Sequence, residues 1–109
     1  MATITLGNMT IDRGRVAVLV GGKPVDLTYV EFELLFVLAR NAGQVISRQR
    51  LLRSVWNESP PPGGDRKLTV HMSRLRTKMQ GSHPWRIETY TRRGYGLMES
   101  RTPAVLQAS

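Results

Sequence analysis

The sequence predicts an α+β domain in which a four-stranded antiparallel sheet precedes three helices and a β-hairpin closes the chain. Residues 3–26 alternate apolar and polar side chains in short runs that turn residues interrupt, which is typical of small antiparallel strands. Residues 28–80 hold three segments with helical periodicity and capping residues. Residues 87–98 form two further strand-like runs. A length of 109 residues fits one such domain.

The N-terminal sheet is expected within residues 1–26. Two dipeptides, Arg13-Gly14 and Gly21-Gly22, lie where tight turns require positive φ, which glycine adopts without steric cost. The strands are predicted over residues 3–6, 9–12, 15–20 and 23–26.

The first helix is predicted over residues 28–42. Thr28 and Glu31 have the spacing of a capping box, in which each side chain bonds to the other residue's backbone N–H. Residues 32–39 are apolar on nearly every face, which indicates a central buried helix. Gly43 is placed for a left-handed cap at the C-terminal end.

The second helix is predicted over residues 47–56, with Ser47 as N-cap and a buried face that includes Leu51 and Leu52. Residues 57–64 contain three consecutive prolines and two glycines, so they are expected to form a loop. Residues 99–109 lack periodicity and are expected to form a flexible tail.

The third helix is predicted over residues 65–80, with Asp65 as its cap. Helical geometry places one apolar stripe on its buried side: Leu68, Met72, Leu75 and Met79. The other side carries cations and small polar groups, without a carboxylate beyond the cap: Arg66, Lys67, Val70, Ser73, Arg74, Arg76, Thr77 and Lys78. Solvated helices usually mix both charge signs, so this face indicates an anionic partner.

Charge along the whole chain agrees with that interpretation. Sixteen Lys and Arg against eight Asp and Glu give a net charge of +8. Residues 1–39 sum to −1 and residues 40–109 to +9, which favours nucleic acid as partner of the C-terminal two-thirds. Val70 suits a thymine methyl group and Arg74 suits guanine O6 and N7, while the other cations suit phosphates.

A helix, a connection and a basic helix followed by a hairpin form a winged helix-turn-helix. The chain here resembles the C-terminal DNA-binding domain of OmpR/PhoB-family response regulators, from bacterial two-component systems. The residues that carry the likeness are LTYVEFELL at 27–35, GQVISR at 43–48, LLRSVW at 51–56, Asp65-Arg66, VHMSRLR at 70–76, Ile87-Glu88-Thr89 and Gly94-Tyr95. The likeness spans roughly residues 3–98, and the domain is assigned to residues 1–98.

The resemblance implies that the third helix enters the major groove of double-stranded DNA and that the hairpin, a wing over residues 87–98, enters the minor groove. On this basis the residues expected to read bases are Lys67, Thr69, Val70 and Arg74. Those expected to contact phosphates are Arg48, Trp56, Arg66, Ser73, Arg76 and Tyr95. Arg92 and Arg93 at the wing turn suit the minor groove. The family commonly has Asp where this chain has Thr69.

Further expectations follow from the same resemblance. The loop over residues 57–64 corresponds to a segment that can face RNA polymerase, and family members usually bind direct repeats as dimers on DNA. The implied protein is a transcription regulator of the cytoplasm, associated with the nucleoid. The chain shows no receiver region before this domain, so it is either a fragment of a longer regulator or a stand-alone one.

Other functions remain as alternatives. The domain is also compatible with nucleic-acid binding without sequence preference, or with a protein-interaction module that uses the Pro-rich loop and the tail. An enzyme is disfavoured, because the chain has no nucleophile–base pair, paired carboxylates or phosphate-cradling glycine loop. Two histidines, His71 and His83, without cysteine match no metal-ligand spacing, so no metal or cofactor is expected. No segment is long and apolar enough for a membrane span.

Overall fold

The computed structural model describes residues 3–56 and 64–100. The predicted α+β class, with four antiparallel strands, three helices and a closing hairpin, is confirmed. The elements in chain order are β1 Thr3–Leu6, β2 Met9–Asp12, β3 Ala17–Val20, β4 Lys23–Pro24, α1 Tyr29–Arg40, β5 Val45–Ile46, α2 Arg48–Trp56, α3 Gly64–Lys78, β6 Trp85–Tyr90 and β7 Gly94–Glu99. The predicted loop and tail lie outside the described residues, except at Gly64, Glu99 and Ser100.

Strands β1 to β4 form an antiparallel meander whose inner face is apolar. Gly21 and Gly22 have φ of +59° and +82°, as predicted. The prediction was wrong at Arg13-Gly14: the Val16 N–H donates to the Arg13 carbonyl at 3.3 Å, and Val16 itself takes the positive φ of +51°. Strand β3 therefore begins at Ala17 rather than at residue 15. Strand β4 ends at Pro24 rather than at residue 26, although the Val25 N–H still donates to the Val18 carbonyl at 2.9 Å.

Helix α1 is buried over residues 31–39 except at Glu33, which confirms its central position. The capping box is present, with the Thr28 N–H donating to Glu31 Oε1 at 2.9 Å and the Glu31 N–H donating to Thr28 Oγ1 at 3.1 Å. The helix is shorter than residues 28–42, because Thr28 and Asn41 are its caps. Gly43 has the expected positive φ, +87°, in the turn that follows.

Glu31 also joins α1 to the far end of α3, although its side chain is almost fully buried. Lys78 Nζ donates to Glu31 Oε1 at 2.7 Å. Burial raises the pKa of the Glu31 carboxyl, but hydrogen bonds from Lys78 and Thr28 outweigh burial, and the pKa lies below its ordinary value. Lys78 was expected on the solvent face with the other cations; it is instead held by this ion pair.

Helices α2 and α3 pack against α1 through their apolar stripes. Ser47 caps α2, accepting from the Arg50 N–H at 3.1 Å. All four residues of the predicted α3 stripe are buried: Leu68, Met72, Leu75 and Met79. The expected span 65–80 was wrong at both ends, since α3 runs over residues 64–78. Asp65 is not the cap; it lies in the first helical turn, where a carboxylate is favourable, and it pairs with Arg48.

A second sheet, in the order β5-β7-β6, contains the C-terminal hairpin, defined here as β6, β7 and residues 91–93 between them. Strand β5 was not predicted. The hairpin strands extend beyond the predicted residues 87–98 at both ends, and Arg92 in the turn has a positive φ of +65°. Gly94, at φ +140°, lies against β5, where a Cβ would overlap the Ile46 carbonyl oxygen.

Asn8, in the turn between β1 and β2, connects the N-terminal sheet to the loop after α3. Its backbone N–H donates to the His83 carbonyl at 3.0 Å, and its Nδ2 donates to the Gly81 carbonyl at 3.0 Å. The His83 N–H donates back to Asn8 Oδ1 at 2.9 Å. We call these three bonds the Asn8 clamp. Within the two described ranges, no helix is long and apolar enough to cross a bilayer.

Candidate nucleic-acid interface

The outward side of α3 is strongly basic. Asp65 is its one acidic residue, and the side chains expected to read bases or bind phosphates are all exposed: Arg66, Lys67, Thr69, Val70, Ser73, Arg74 and Arg76. Val70 is 39% exposed, a high value for a valine. The helix therefore presents a cationic surface with one small apolar group, supported from behind by the buried stripe.

Arg48, at the first position of α2, lies beneath the N-terminal turn of α3. Its Nε donates to Asp65 Oδ1 at 3.3 Å, and its Nη2 donates to the Asp65 carbonyl at 3.3 Å and to Thr69 Oγ1 at 2.7 Å. Its Nη1 donates to the Tyr95 hydroxyl of β7 at 3.4 Å. We call Arg48, Asp65, Thr69 and Tyr95 the Arg48 cluster.

The partners of Arg48 stabilise its guanidinium charge further, although an arginine is charged in any case. Partial burial lowers the pKa of Arg48, but the Tyr95 and Asp65 partners outweigh burial, so the pKa is raised overall. The ring of Tyr95 adds a cation–π contact, with the guanidinium carbon 5.4 Å from the ring centroid. A charged arginine thus lies where α2, α3 and the C-terminal hairpin meet.

Tyr95 was expected to contact phosphate, and the structure places it differently. The residue is 4% exposed, with its hydroxyl against Arg48. In this conformation, so small an exposed surface leaves little of the Tyr95 side chain for a partner to contact. The Tyr95 hydroxyl is engaged by Arg48, and its phosphate contact stays a prediction.

Trp56, at the end of α2, lies beside the first half of α3 and is partly exposed. Lys67 Nζ lies 5.2 Å from the Trp56 ring centroid, and the His71 ring meets it edge-on at 5.6 Å. His71 Nδ1 lies 2.9 Å from the Lys67 carbonyl, which only accepts, so Nδ1 carries the hydrogen. The three side chains form one amphipathic edge of the α3 surface.

The C-terminal hairpin lies on the other side of α3. Arg92 and Arg93 are exposed at its turn, and the Arg93 N–H donates to the Tyr90 carbonyl at 2.8 Å. Arg76 joins α3 to the hairpin, because its Nη2 donates to Thr89 Oγ1 of β6. A groove of about 450 Å³ opens beside this contact and is lined by Arg76 and Arg86, among others.

Sequence periodicity predicted the exposed surface of α3 but not the side-chain contacts that fix this helix to its neighbours. His71 packs on Trp56, and the His83 backbone belongs to the Asn8 clamp, so the two histidines have separate surroundings. Among residues 3–56 and 64–100, no three His, Asp or Glu side chains gather in a way that would hold a metal ion. The Arg48 cluster gave no signal in sequence periodicity, since its members come from three elements.

Residues 22–97 match the protein family described as "Transcriptional regulatory protein, C terminal". The transcriptional regulatory protein CpxR of Escherichia coli (strain K12) is 35% identical over 96 residues, which is 85% of this chain and 40% of CpxR. AfsQ1 of Streptomyces coelicolor is 39% identical over 95 residues, which is 85% of this chain and 42% of AfsQ1. The chain thus spans about 40% of the length of these relatives.

Two solved structures have closely similar backbones. The DNA binding domain of CpxR from E. coli superposes with a TM-score of 0.79 at 32% identity, covering 93% of this chain and 100% of that one. The DNA-binding domain of Klebsiella pneumoniae RstA, in complex with the RstA box, gives a TM-score of 0.79 at 35% identity, covering 90% of this chain and 98% of that one. The arrangement of sheets, helices and hairpin is shared with both domains.

Proposed function

The chain belongs to the family of C-terminal domains of transcriptional regulatory proteins, of the OmpR/PhoB type that its sequence resembles, and from this premise we propose that it binds double-stranded DNA with sequence preference and regulates transcription. Helix α3 would lie in the major groove and the C-terminal hairpin in the minor groove. RstA, a structural neighbour, is solved in complex with its DNA box, which supports the proposal.

One observation carries the proposal: α3 is buried on one side by a complete apolar stripe and presents cations on the other. Four of its outward side chains are Arg66, Lys67, Arg74 and Arg76, with Asp65 as the one acid, and Arg48 already pairs with that acid. A surface of this kind suits the polyanionic backbone of DNA. The exposed Val70 and Thr69 between the cations suit base edges rather than phosphates.

The base-reading residues are Lys67, Thr69, Val70 and Arg74. Val70 offers methyl groups to a thymine, and Arg74 offers two parallel donors to a guanine. The Thr69 hydroxyl already donates to the Asp65 carbonyl at 2.9 Å. Because a threonine hydroxyl has one hydrogen, Thr69 would act toward a base as an acceptor or through its methyl group.

Phosphate contacts are assigned to residues around these readers. The exposed members of this set are Arg66, Ser73 and Arg76, with the partly exposed Trp56 beside them. Arg92 and Arg93 at the tip of the C-terminal hairpin would enter the minor groove, whose negative potential attracts arginine.

The proposal extends to the setting in which the domain works. We expect two copies on direct repeats, a contact of residues 57–64 with RNA polymerase, and action at the nucleoid in the cytoplasm. A selected DNA site with two direct half-sites about one helical turn apart would support the paired arrangement.

The primary test is selection of sites from a randomised duplex pool at near-physiological salt, followed by affinity for the winner and for a scrambled duplex. We expect an enriched motif and preferential binding of the winner. Binding that depends on salt but enriches no motif would instead support nucleic-acid binding without sequence preference.

Two variants and a matched control divide the roles of the cations. Arg74→Ala is expected to cost about 1–3 kcal/mol on the selected duplex and less on the scrambled one. Arg66→Ala should weaken both duplexes alike and reduce the slope of log K against log salt by about 1. Arg15→Ala removes the same charge from a side chain that is 85% exposed in the β2–β3 turn, and should change neither affinity. Equal effects of all three variants would contradict the assignment of α3 as the interface.

A further inference from the structure

The Arg48 cluster joins the two parts of the molecule that, under the proposed function, contact DNA in different grooves. Arg48 belongs to α2, Asp65 and Thr69 to the first turns of α3, and Tyr95 to the C-terminal hairpin. The guanidinium bonds to all three partners. Arg48 is therefore the side chain that links α3 to β7 in this cluster.

The hydrogen bonds leave Arg48 little capacity for any other ligand. A guanidinium has five N–H donors in a fixed planar fork. The structure engages one on Nε, two on Nη2 and one on Nη1, which leaves a single N–H on Nη1. The side chain is 27% exposed, so it is largely covered by its partners. A direct bidentate contact with phosphate uses two N–H groups, so at least one of these bonds would have to break.

The partners also show why an arginine is required there. The acceptors lie on two elements and in different directions: the Asp65 carboxylate and carbonyl and the Thr69 hydroxyl on α3, and the Tyr95 hydroxyl on β7. A lysine ammonium is a point charge that cannot reach acceptors spread along a planar fork. Thr69 is neutral, so it contributes shape and a hydrogen bond, and not charge, to the cluster.

We propose that Arg48 is a positioning residue, which fixes the first turn of α3 against the C-terminal hairpin so that base reading by α3 and minor-groove contact by the hairpin occur at one fixed spacing. The inference rests on the proposed function and replaces the expected phosphate contact of Arg48. Arg48 would therefore affect discrimination between DNA sequences, because the fixed spacing matters only on a site that fits both α3 and the C-terminal hairpin.

The test is Arg48→Lys, which keeps the charge and removes the fork. We expect the ratio of affinities for selected over scrambled duplex to fall about ten-fold, the discrimination that one well-placed base contact supplies. The affinity for the scrambled duplex and the salt slope should stay as in the wild type, since the charge is retained. Arg53→Lys, an exposed position of the same helix, is the matched control and should change nothing.

Direct phosphate binding by Arg48 predicts the opposite pattern. In that case Arg48→Lys would retain the ratio within about two-fold, and Arg48→Ala would lower the salt slope by about 1 on both duplexes. That result overturns the positioning role. If the wild type itself shows no preference for a selected duplex, the proposed function fails first, and the inference fails with it.

A milder variant keeps the test open if Arg48→Lys does not fold. Tyr95→Phe removes one hydroxyl from the cluster without changing a charge, and Tyr95 lies outside the residues proposed to read bases. The variant should lower the affinity ratio by about three-fold with an unchanged salt slope, in protein whose thermal transition is cooperative. An unchanged ratio would overturn the inference.

Discussion

Gly94→Ala tests whether the close approach of β5 and β7 is as tight as the structure shows. The φ of Gly94, +140°, lies outside the regions open to residues with a Cβ, at a cost of about 1–3 kcal/mol. The added carbon would also lie 2.8 Å from the Ile46 carbonyl carbon and 3.0 Å from Ser47 Cα. Because the added carbon would overlap the Ile46 carbonyl oxygen, relief requires a backbone shift of more than about 1 Å, and overpacking of this kind costs about 1–3 kcal/mol. The expected total is about 4 kcal/mol.

The matched control is Gly22→Ala, in the turn between β3 and β4. Its φ is also positive, +82°, but a Cβ there would meet no atom within 4 Å. The expected cost is about 1–2 kcal/mol, the left-handed backbone alone. The difference between the two variants, about 2–3 kcal/mol, isolates the contact with β5.

Urea denaturation followed by far-ultraviolet circular dichroism measures both free energies of unfolding. A domain of this size has about 5–15 kcal/mol in total, so Gly94→Ala should shift the midpoint far more than Gly22→Ala. Losses that agree within about 0.5 kcal/mol would refute the reasoning, because they would mean that β5 moves aside without cost.

Two further variants test the interior. Glu31→Gln keeps the capping box but loses the charge that pairs with Lys78, and should cost about 1–2 kcal/mol at pH 7. Since the folded-state pKa of Glu31 is lowered, the ion pair stabilises the domain at neutral pH, and its contribution disappears as the pH falls below about 4.3. The free energies of unfolding of wild type and Glu31→Gln, measured in urea, should therefore converge in acid. A difference that stays constant with pH would contradict the assignment. Leu75→Ala should cost about 2–5 kcal/mol because the side chain is fully buried, whereas Val70→Ala on the exposed face should change stability by less than about 0.5 kcal/mol. Equal losses of the two variants in thermal melts would show that the buried and exposed faces of α3 are misassigned.

Features that depend on residues close together in the chain could be predicted from the sequence. The Thr28–Glu31 capping box spans three residues, and the buried stripe of α3 follows from spacings of three and four. The exposed cations of α3 follow from the same geometry. These features located both the helix that we propose contacts DNA and the side from which it would do so.

Contacts between residues far apart in the chain could not be predicted from the sequence. Strand β5 has two residues, too few for any periodicity. The hint of its place was a pair of glycines in β7: Gly96 pairs with Val45, and Gly94 lies against the Ile46 carbonyl. Lys78 and Glu31 are 47 positions apart, so nothing local shows that this lysine is engaged. Tyr95 was assigned to phosphate from resemblance alone, and its burial depends on how the C-terminal hairpin packs.

The Asn8 clamp has a consequence for the order in which the domain is assembled. Its side-chain and backbone bonds connect positions 73 and 75 residues apart. Contacts of such separation close the longest loops and so form late, after the entropy of the intervening chain has been lost. Interactions that are absent from the folding transition state slow unfolding rather than accelerate folding. We therefore expect the clamp to slow unfolding of the domain more than it accelerates folding.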